Sequence, residues 1–381
     1  MSVVPDLLTK TVKKYPDRTA VVEGEKSVTY GTLYSMVEGF SSFLKSRGVG
    51  HGDRVAILLP NSIEYIVCFF GIARLGAISV PLNAAYKEEE INFYISDSSP
   101  RIVLTDETLK QLAEKTTANN STRVFVIKGD KADWSYSNHY KSNDIDNSIE
   151  PNDEAIFLYS TGSTGKPKRL ARTHYNLIAL ADNHTQTVDW TEEDKILFTV
   201  PLQHTYALGN FISGIKVGTS LYVLGAFNRN KVIDLIERKS ITVFPAVPFM
   251  LNVLAETYLK KPRDFSSLRL VISAGSPLSK EVFHKFHEKF GIYPRQLYGS
   301  AETGVISINL CEEIERKYDS VGRPVKNVEV KIFTEDGSIA DTNGVGEIAV
   351  KSPSMVSGYD ELPDETSKVL GKVTTLQEIW D

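Results

Sequence analysis

The sequence predicts an α/β protein with two α/β lobes followed by a small antiparallel β unit. Three observations carry this expectation: amphipathic and β-rich segments alternate from Thr29 to Arg101, a second alternating series begins at Ile156, and beyond about Asn309 the pattern becomes apolar/polar alternation around glycine turns. In the first series Leu33, Val37, Phe40 and Leu44 recur at helical spacing, with Gly48 as a stop signal. Residues 54–59 read as a buried strand closed by Pro60-Asn61, Ser62 as the cap of a helix reaching Arg74, and residues 77–80 as the next strand. The polar stretch 119–152 resembles a connection between domains. After it, strands are predicted over 156–159, 196–200, 221–224, 241–244 and 268–273, with helices such as 232–238 and 280–290 between them. Residues 328–333, Glu335-Asp336-Gly337 and 347–351 alternate apolar with polar residues around glycine turns, the pattern of a small antiparallel β unit.

Composition narrows the function classes. A chain of 381 residues, 41% apolar and 24% charged, has the texture of a soluble globular protein of two or three domains. Its formal net charge of −5 provides no general basic field, which excludes nucleic acid as the expected partner. The two cysteines, Cys68 and Cys311, lack metal-ligand spacing. The N-terminus reaches Asp6 too soon for a secretory core, and the apolar run 65–73, bounded by Glu64 and Arg74, is far shorter than the roughly 20 residues that cross a bilayer. A cytoplasmic protein without an integral membrane segment is expected.

The chemical signal lies in Tyr159–Lys168, YSTGSTGKPK, directly after the apolar run 155–158. It is not a Walker A loop: Gly162 and Gly165 enclose two residues instead of four, and Lys166 is followed by Pro167 in place of Ser or Thr. The Pro167 ring also disfavours the helical conformation at Lys166. What remains is either a solvated turn or a glycine loop whose backbone N–H and hydroxyl donors, with Lys166 and Lys168, suit a polyphosphate; composition alone leaves both open.

The ordered string resembles the phosphate loop of the adenylate-forming superfamily, which includes acyl- and aryl-CoA synthetases. Pro201-Leu202-Gln203-His204 is similar to its Pro-Leu-x-His segment, 273–278 (SAGSPL) to its adenine-side glycine turn, and 296–304 (QLYGSAETG) to its Tyr-Gly-x-Thr-Glu segment. Gly346-Glu347-Ile348 and Ser357-Gly358-Tyr359 resemble later landmarks, so the similarity spans about Asp6 to Lys368.

The resemblance implies an N-terminal adenylation domain with layered αβαβα lobes over 1–308 and a barrel-like β subdomain over 309–381. It implies ATP, Mg²⁺ and CoA as cofactor and co-substrates, and a small carboxylic acid as the other partner. Thr161, Gly162, Ser163, Thr164, Gly165 and Lys166 would hold the β- and γ-phosphates. Tyr298 would stack on adenine beside Gly275, Ser276 and Pro277, with Gln296, Gly299, Ser300 and Ala301 completing the nucleotide side. Glu302 would face Mg²⁺. His204 would stand at the mouth of the acid pocket, so that His204, Glu302 and Lys166 are the candidate catalytic residues. A lone tyrosine, glutamate or histidine is otherwise an ordinary core or surface residue. In the amino-acid-activating branch an acidic residue follows the position of His204; here Thr205 does, and with Tyr206, Ala207, Val247 and Phe249 as candidate lining an uncharged fatty or aryl acid is expected.

Three departures accompany the resemblance. Ala301 stands where the family usually has Thr or Ser, and Arg169 where the loop usually has Gly. After Lys368 no Thr-Gly-Asp follows, and Asp381 is no clear substitute, so the mobile C-terminal domain is expected to be absent. The leading expectation is an AMP-forming acid–CoA ligase, represented by a fragment of low turnover; the alternative is a non-catalytic module that binds a nucleotide or acyl group.

Overall fold

The computed structural model describes residues 2–118, 121–135, 148–161, 167–359 and 362–369. The first part runs α1 (Val4–Lys14), β1 (Thr19–Glu23), β2 (Lys26–Thr29), α2 (Tyr30–Ser46), β3 (Arg54–Leu58), α3 (Ile63–Ala73), β4 (Ile78–Leu82), α4 (Glu88–Ser98), β5 (Ile102–Asp106), α5 (Lys110–Thr117) and β6 (Arg123–Lys128). Next come β7 (Glu154–Thr161), β8 (Pro167–Thr173), α6 (His174–Thr185), β9 (Lys195–Phe198), α7 (Thr205–Val217), β10 (Ser220–Val223), α8 (Arg229–Lys239), β11 (Val243–Ala246) and α9 (Pro248–Glu256). The chain continues through β12 (Leu270–Ser273), α10 (Lys280–Phe290), β13 (Arg295–Ser300), β14 (Gly304–Ile308), β15 (Arg323–Pro324), β16 (Glu329–Phe333), β17 (Glu347–Lys351) and α11 (Pro363–Val369).

Two sheets organise these elements, one of six strands in the order β6-β5-β3-β4-β7-β8 and one of nine in the order β15-β14-β13-β12-β11-β9-β10-β1-β2. Their interiors are parallel, whereas β8, β2, β14 and β15 are antiparallel additions at the edges. Parallel strands covered on both faces must be apolar on both, and β4 is buried at all five positions. Strand parity divides the six-stranded sheet between two cores: Val55 and Ile57 of β3 face the large core shared with the nine-stranded sheet, while Ala56 and Leu58 face a second core under α4 and α5. This is the α/β layering that the pattern predicts. Local signals also act as expected: Ser62 Oγ accepts the Tyr65 N–H at 3.1 Å and starts α3.

Two expectations are corrected. Residues 119–152 do not separate the sheets, because β6 lies within that stretch and β7 and β8, which follow it, complete the same six-stranded sheet. Conversely, β1 and β2 at the N-terminus join the nine-stranded sheet. The anticipated barrel-like unit is, among the described residues, a two-stranded ribbon of β16 and β17 with one bridge from Phe333 to Ile339. No helix among the described residues is long and apolar enough to cross a membrane.

Candidate active site

In a parallel sheet the loops leaving the C-terminal strand ends gather on one side, and ligand sites form there. Here β9 leads through Pro201 to His204 at the start of α7, β12 leads into Ala274–Pro277, and β13 turns at 300–304 into β14. Opposite them stand the end of β7 and the beginning of β8. All line one cleft of about 960 Å³, with Ser160 and Lys168 from the six-stranded sheet and His204, Tyr206, Gly275, Ser276, Pro277, Gln296 and 298–302 from the nine-stranded one.

The glycine loop itself, Gly162, Ser163, Thr164, Gly165 and Lys166, lies outside the described residues, as does the Thr161 side chain. Its flanks are described: Thr161 pairs with Pro167 across the β7–β8 hairpin, so a strand and not a helix follows the loop, as Pro167 predicts. Lys168 is largely buried, with its ammonium 5.0 Å from the centre of the Tyr359 ring. Arg169 is directed toward α4. Its guanidinium donates to the Asp97 carbonyl at 2.6 Å and carboxylate at 3.2 Å, at the end of α4, and lies over Phe157, so its bulk packs the sheet without blocking the cleft.

The adenine-side turn depends on backbone geometry. Gly275 has φ +91°, a conformation other residues adopt only with strain. Gln296, placed on the nucleotide side by its motif, has both polar atoms committed to the protein: Oε1 accepts the Leu278 N–H at 3.0 Å and Nε2 donates to the Tyr318 carbonyl at 2.7 Å. It therefore pins the turn after β12 to the segment after β14. Tyr298 is 39% exposed and has no aromatic partner among the described residues, which leaves a ring face open to the cleft.

The β13–β14 turn is held from within and from outside. Ser300 Oγ accepts the Glu302 and Thr303 N–H groups at 3.2 and 3.1 Å. The Glu302 carbonyl accepts the Val356 N–H at 2.9 Å, and Glu302 Oε1 accepts the Tyr359 hydroxyl at 2.8 Å. The Ala301 methyl packs with Leu170, Val356 and Tyr359. Gly299 fits because a Cβ there would meet the Gly304 carbonyl oxygen at 2.3 Å.

On the acid side the placements diverge. His204 is exposed and opens onto the cleft, and partial desolvation at the cleft wall holds its pKa below the ordinary imidazole value. The Tyr206 hydroxyl donates to the Ile272 carbonyl at 3.0 Å, which anchors its ring along the cleft wall. Ala207 is fully buried in α7 and Phe249 faces outward beside Phe227, their rings 6.5 Å apart; neither lines the cleft. Val247 lies behind Gly275 and outside the lining. Leu297 and Val305, which periodicity did not single out, supply apolar wall instead. Tyr359 was recognisable only as part of a Gly-Tyr landmark, and Arg172 gave no signal.

Comparison with known proteins agrees with this geometry. A family profile described as AMP-binding enzyme matches residues 8–360. The chain is 30% identical to oxalate–CoA ligase of Arabidopsis thaliana, across 94% of this chain and 72% of that protein, and 29% identical to long-chain-fatty-acid–CoA ligase FadD13 of Mycobacterium tuberculosis, across 92% and 70%. It superposes on the inhibitor-bound N-terminal domain of FACL13 from Mycobacterium tuberculosis with a TM-score of 0.89 at 26% identity, covering 97% of this chain and 93% of that one. ATP-bound MatB from Rhodopseudomonas palustris gives 0.84 at 25% identity, with 96% and 73% covered. With the fold, the motif order and the shared cleft in agreement, the chain belongs to the AMP-binding enzyme family, on its acyl-CoA synthetase side.

Proposed function

We propose that the protein is an AMP-forming carboxylic acid–CoA ligase acting on a fatty or aryl acid. One observation carries the reading: a single cleft gathers His204, the Gly275–Ser276–Pro277 turn, Tyr298 and Glu302, facing the two strands that flank the glycine loop. A carboxylate oxygen attacks the α-phosphorus of ATP, forming the acyl-adenylate and releasing pyrophosphate; the CoA thiol then attacks the acyl carbon and AMP leaves with the bonding electrons. Attack of an anion on an anion is an electrostatic problem, so the chain's task is to place donors and fixed charge around the phosphates.

The open face of Tyr298 suits base stacking, and the turn at Gly275 lets backbone approach the nucleotide. Lys166, Thr161 and the rest of the glycine loop are assigned the β- and γ-phosphates by their motif, with Ser160 and Lys168 at the loop's base. His204, kept neutral near pH 7 by its lowered pKa, orients the acid by hydrogen bonding instead of by charge. Glu302 fits a magnesium site: one oxygen is engaged by Tyr359, and the other would be available to hold a cation that needs few protein ligands. When bound, magnesium supplies charge neutralisation on the leaving pyrophosphate. The apolar wall of Tyr206, Ala274, Leu297 and Val305 supports an uncharged acyl or aryl chain. The cytoplasm, which supplies ATP and CoA, is the compartment this reading implies.

A second reading, a module that binds a nucleotide or acyl group without turnover, is favoured by Ala301. Its methyl packs with Leu170, Val356 and Tyr359 where the family resemblance implies a hydroxyl, and loss of one such donor costs about 2.7–4 kcal/mol in the transition state. Isothermal titration with MgATP, a panel of carboxylic acids and a non-hydrolysable acyl-adenylate mimic tests both. Failure to bind the mimic overturns the ligase reading, whereas acid-dependent exchange of labelled pyrophosphate into ATP overturns the binding-only one.

A further inference from the structure

Arg172 is fully buried, guanidinium included, and its environment is unusual. Arg172 sits on β8, the edge strand of the six-stranded sheet, on the face that also carries Lys168 and Leu170. Buried arginines are ordinarily matched to a carboxylate, because an unmatched buried charge is expensive. Arg172 instead uses its two terminal nitrogens on carbonyls from two other segments: Nη2 donates to Ala301 at 2.6 Å, and Nη1 donates to Ser354. Its Nε has no hydrogen-bond partner among the described residues. Desolvation lowers the guanidinium pKa to about 10, and the attraction of the Glu302 carboxylate opposes it.

These contacts place Arg172 at the centre of a clasp. The 352–356 segment is fixed to α6 by Asn176 Nδ2, which donates to the Pro353 and Met355 carbonyls at 3.2 and 2.7 Å. It is fixed to the β13–β14 turn by Ser354 Oγ, which donates to the Thr303 carbonyl at 2.7 Å, and by the Val356 N–H on Glu302. Arg172 joins the two, gripping the residue just before Glu302 with one arm and this strap with the other. Ala301 provides no side-chain polar atom, so its backbone is the only handle the turn offers there.

We propose that Arg172 is a positioning residue for the nucleotide–metal site: through the Ala301 carbonyl it sets the orientation of the Glu302 carboxylate, and its charge, sealed from water behind the turn, makes that part of the cleft more receptive to the carboxylate and phosphate anions. The assignment rests on the ligase reading above for its ligand, a divalent cation bound to a nucleoside triphosphate. Lysine, with one compact ammonium, lacks the planar fork that spans two carbonyls.

The test measures ATP binding by titration calorimetry across a range of Mg²⁺ concentrations, for the unmodified chain, Arg172→Leu, Arg172→Lys, Glu302→Gln and the Arg172→Leu/Glu302→Gln pair, with melting temperature as the control. Expected are about tenfold weaker magnesium-dependent binding in Arg172→Leu, a smaller loss in Arg172→Lys, and no further loss when Arg172→Leu is added to Glu302→Gln. A merely structural arginine would lower the melting temperature and weaken binding independently of magnesium, with losses that add to those of Glu302→Gln. Either additivity or unchanged magnesium dependence in Arg172→Leu overturns the proposal. Should Arg172→Leu not fold, Arg172→Lys and its pair with Glu302→Gln carry the same two criteria. If the unmodified chain binds no MgATP, the ligase reading fails and this assignment falls with it; if it binds and Arg172→Leu binds equally well, only this assignment fails.

Discussion

The two sheets reach the cleft by different means. The six-stranded sheet ends in β8, an edge strand with Lys168, Leu170 and Arg172 on one face, two of them cationic and all buried against the other half of the molecule. The nine-stranded sheet ends in the β13–β14 turn, which offers glycines, backbone carbonyls and the Glu302 carboxylate. One wall contributes charge through packed side chains; the other contributes shape through backbone. Such a division teaches that damage to the first wall should register as altered electrostatics and pH response, and damage to the second, its one carboxylate Glu302 apart, as lost geometry.

Acid should break the first wall through the helix that continues it. α6 holds His174 and His184, both fully buried, and desolvation lowers each pKa from 6.5 to about 4. Above pH 6.5 both are neutral in either state and their contribution to stability is complete. As the pH falls from 6.5 to about 4 the unfolded chain gains protons that the native one refuses, so stability should drop by on the order of 3 kcal/mol per histidine and level off below. Urea midpoints at pH 7, 5.5 and 4.5 measure this, and His184→Phe, which keeps a ring against Trp190, should flatten part of the slope.

At the second wall, Glu302→Gln should slow acid-dependent pyrophosphate exchange on the order of 10²–10³-fold with little change in melting temperature, because the carboxylate faces the cleft. Gly299→Ala should cost about 1–3 kcal/mol in denaturant unfolding, as the new methyl meets the Gly304 carbonyl. The smallest effect is expected where the walls touch: Tyr359→Phe removes the hydrogen bond to Glu302 and should weaken MgATP binding by about 0.5–1.5 kcal/mol in calorimetry. A Tyr359→Phe protein indistinguishable from the parent would show that the two walls do not communicate through that contact.

Local signals made much of this legible in advance. The helix predicted over 280–290 forms with those limits, Ser62 caps α3, and the motifs around His204, Gly275 and Tyr298 meet in one cleft. What escaped was non-local. Residues 156–159 alternate like the strands after them, yet β7 pairs with β4, because strand order depends on contacts between distant segments that no periodicity records. Phe249 and Ala207 are apolar and close to the right motifs, but the helices that carry them turn one outward and the other into the core. Arg172 reads as a surface residue in any window of its own strand; it is buried only because residues 301 and 354 arrive there.

The placement of β1 in the nine-stranded sheet bears on how the chain is made. Val21 lies beside Leu221, so a strand that leaves the ribosome early waits for a neighbour some two hundred residues later, roughly 10–40 s at about 5–20 residues per second. Throughout synthesis of the intervening segments the β1–β2 ribbon has an open, hydrophobic edge. An unpaired strand edge is a template for wrong pairing, so the late closure of this sheet makes protection of that edge during folding consequential.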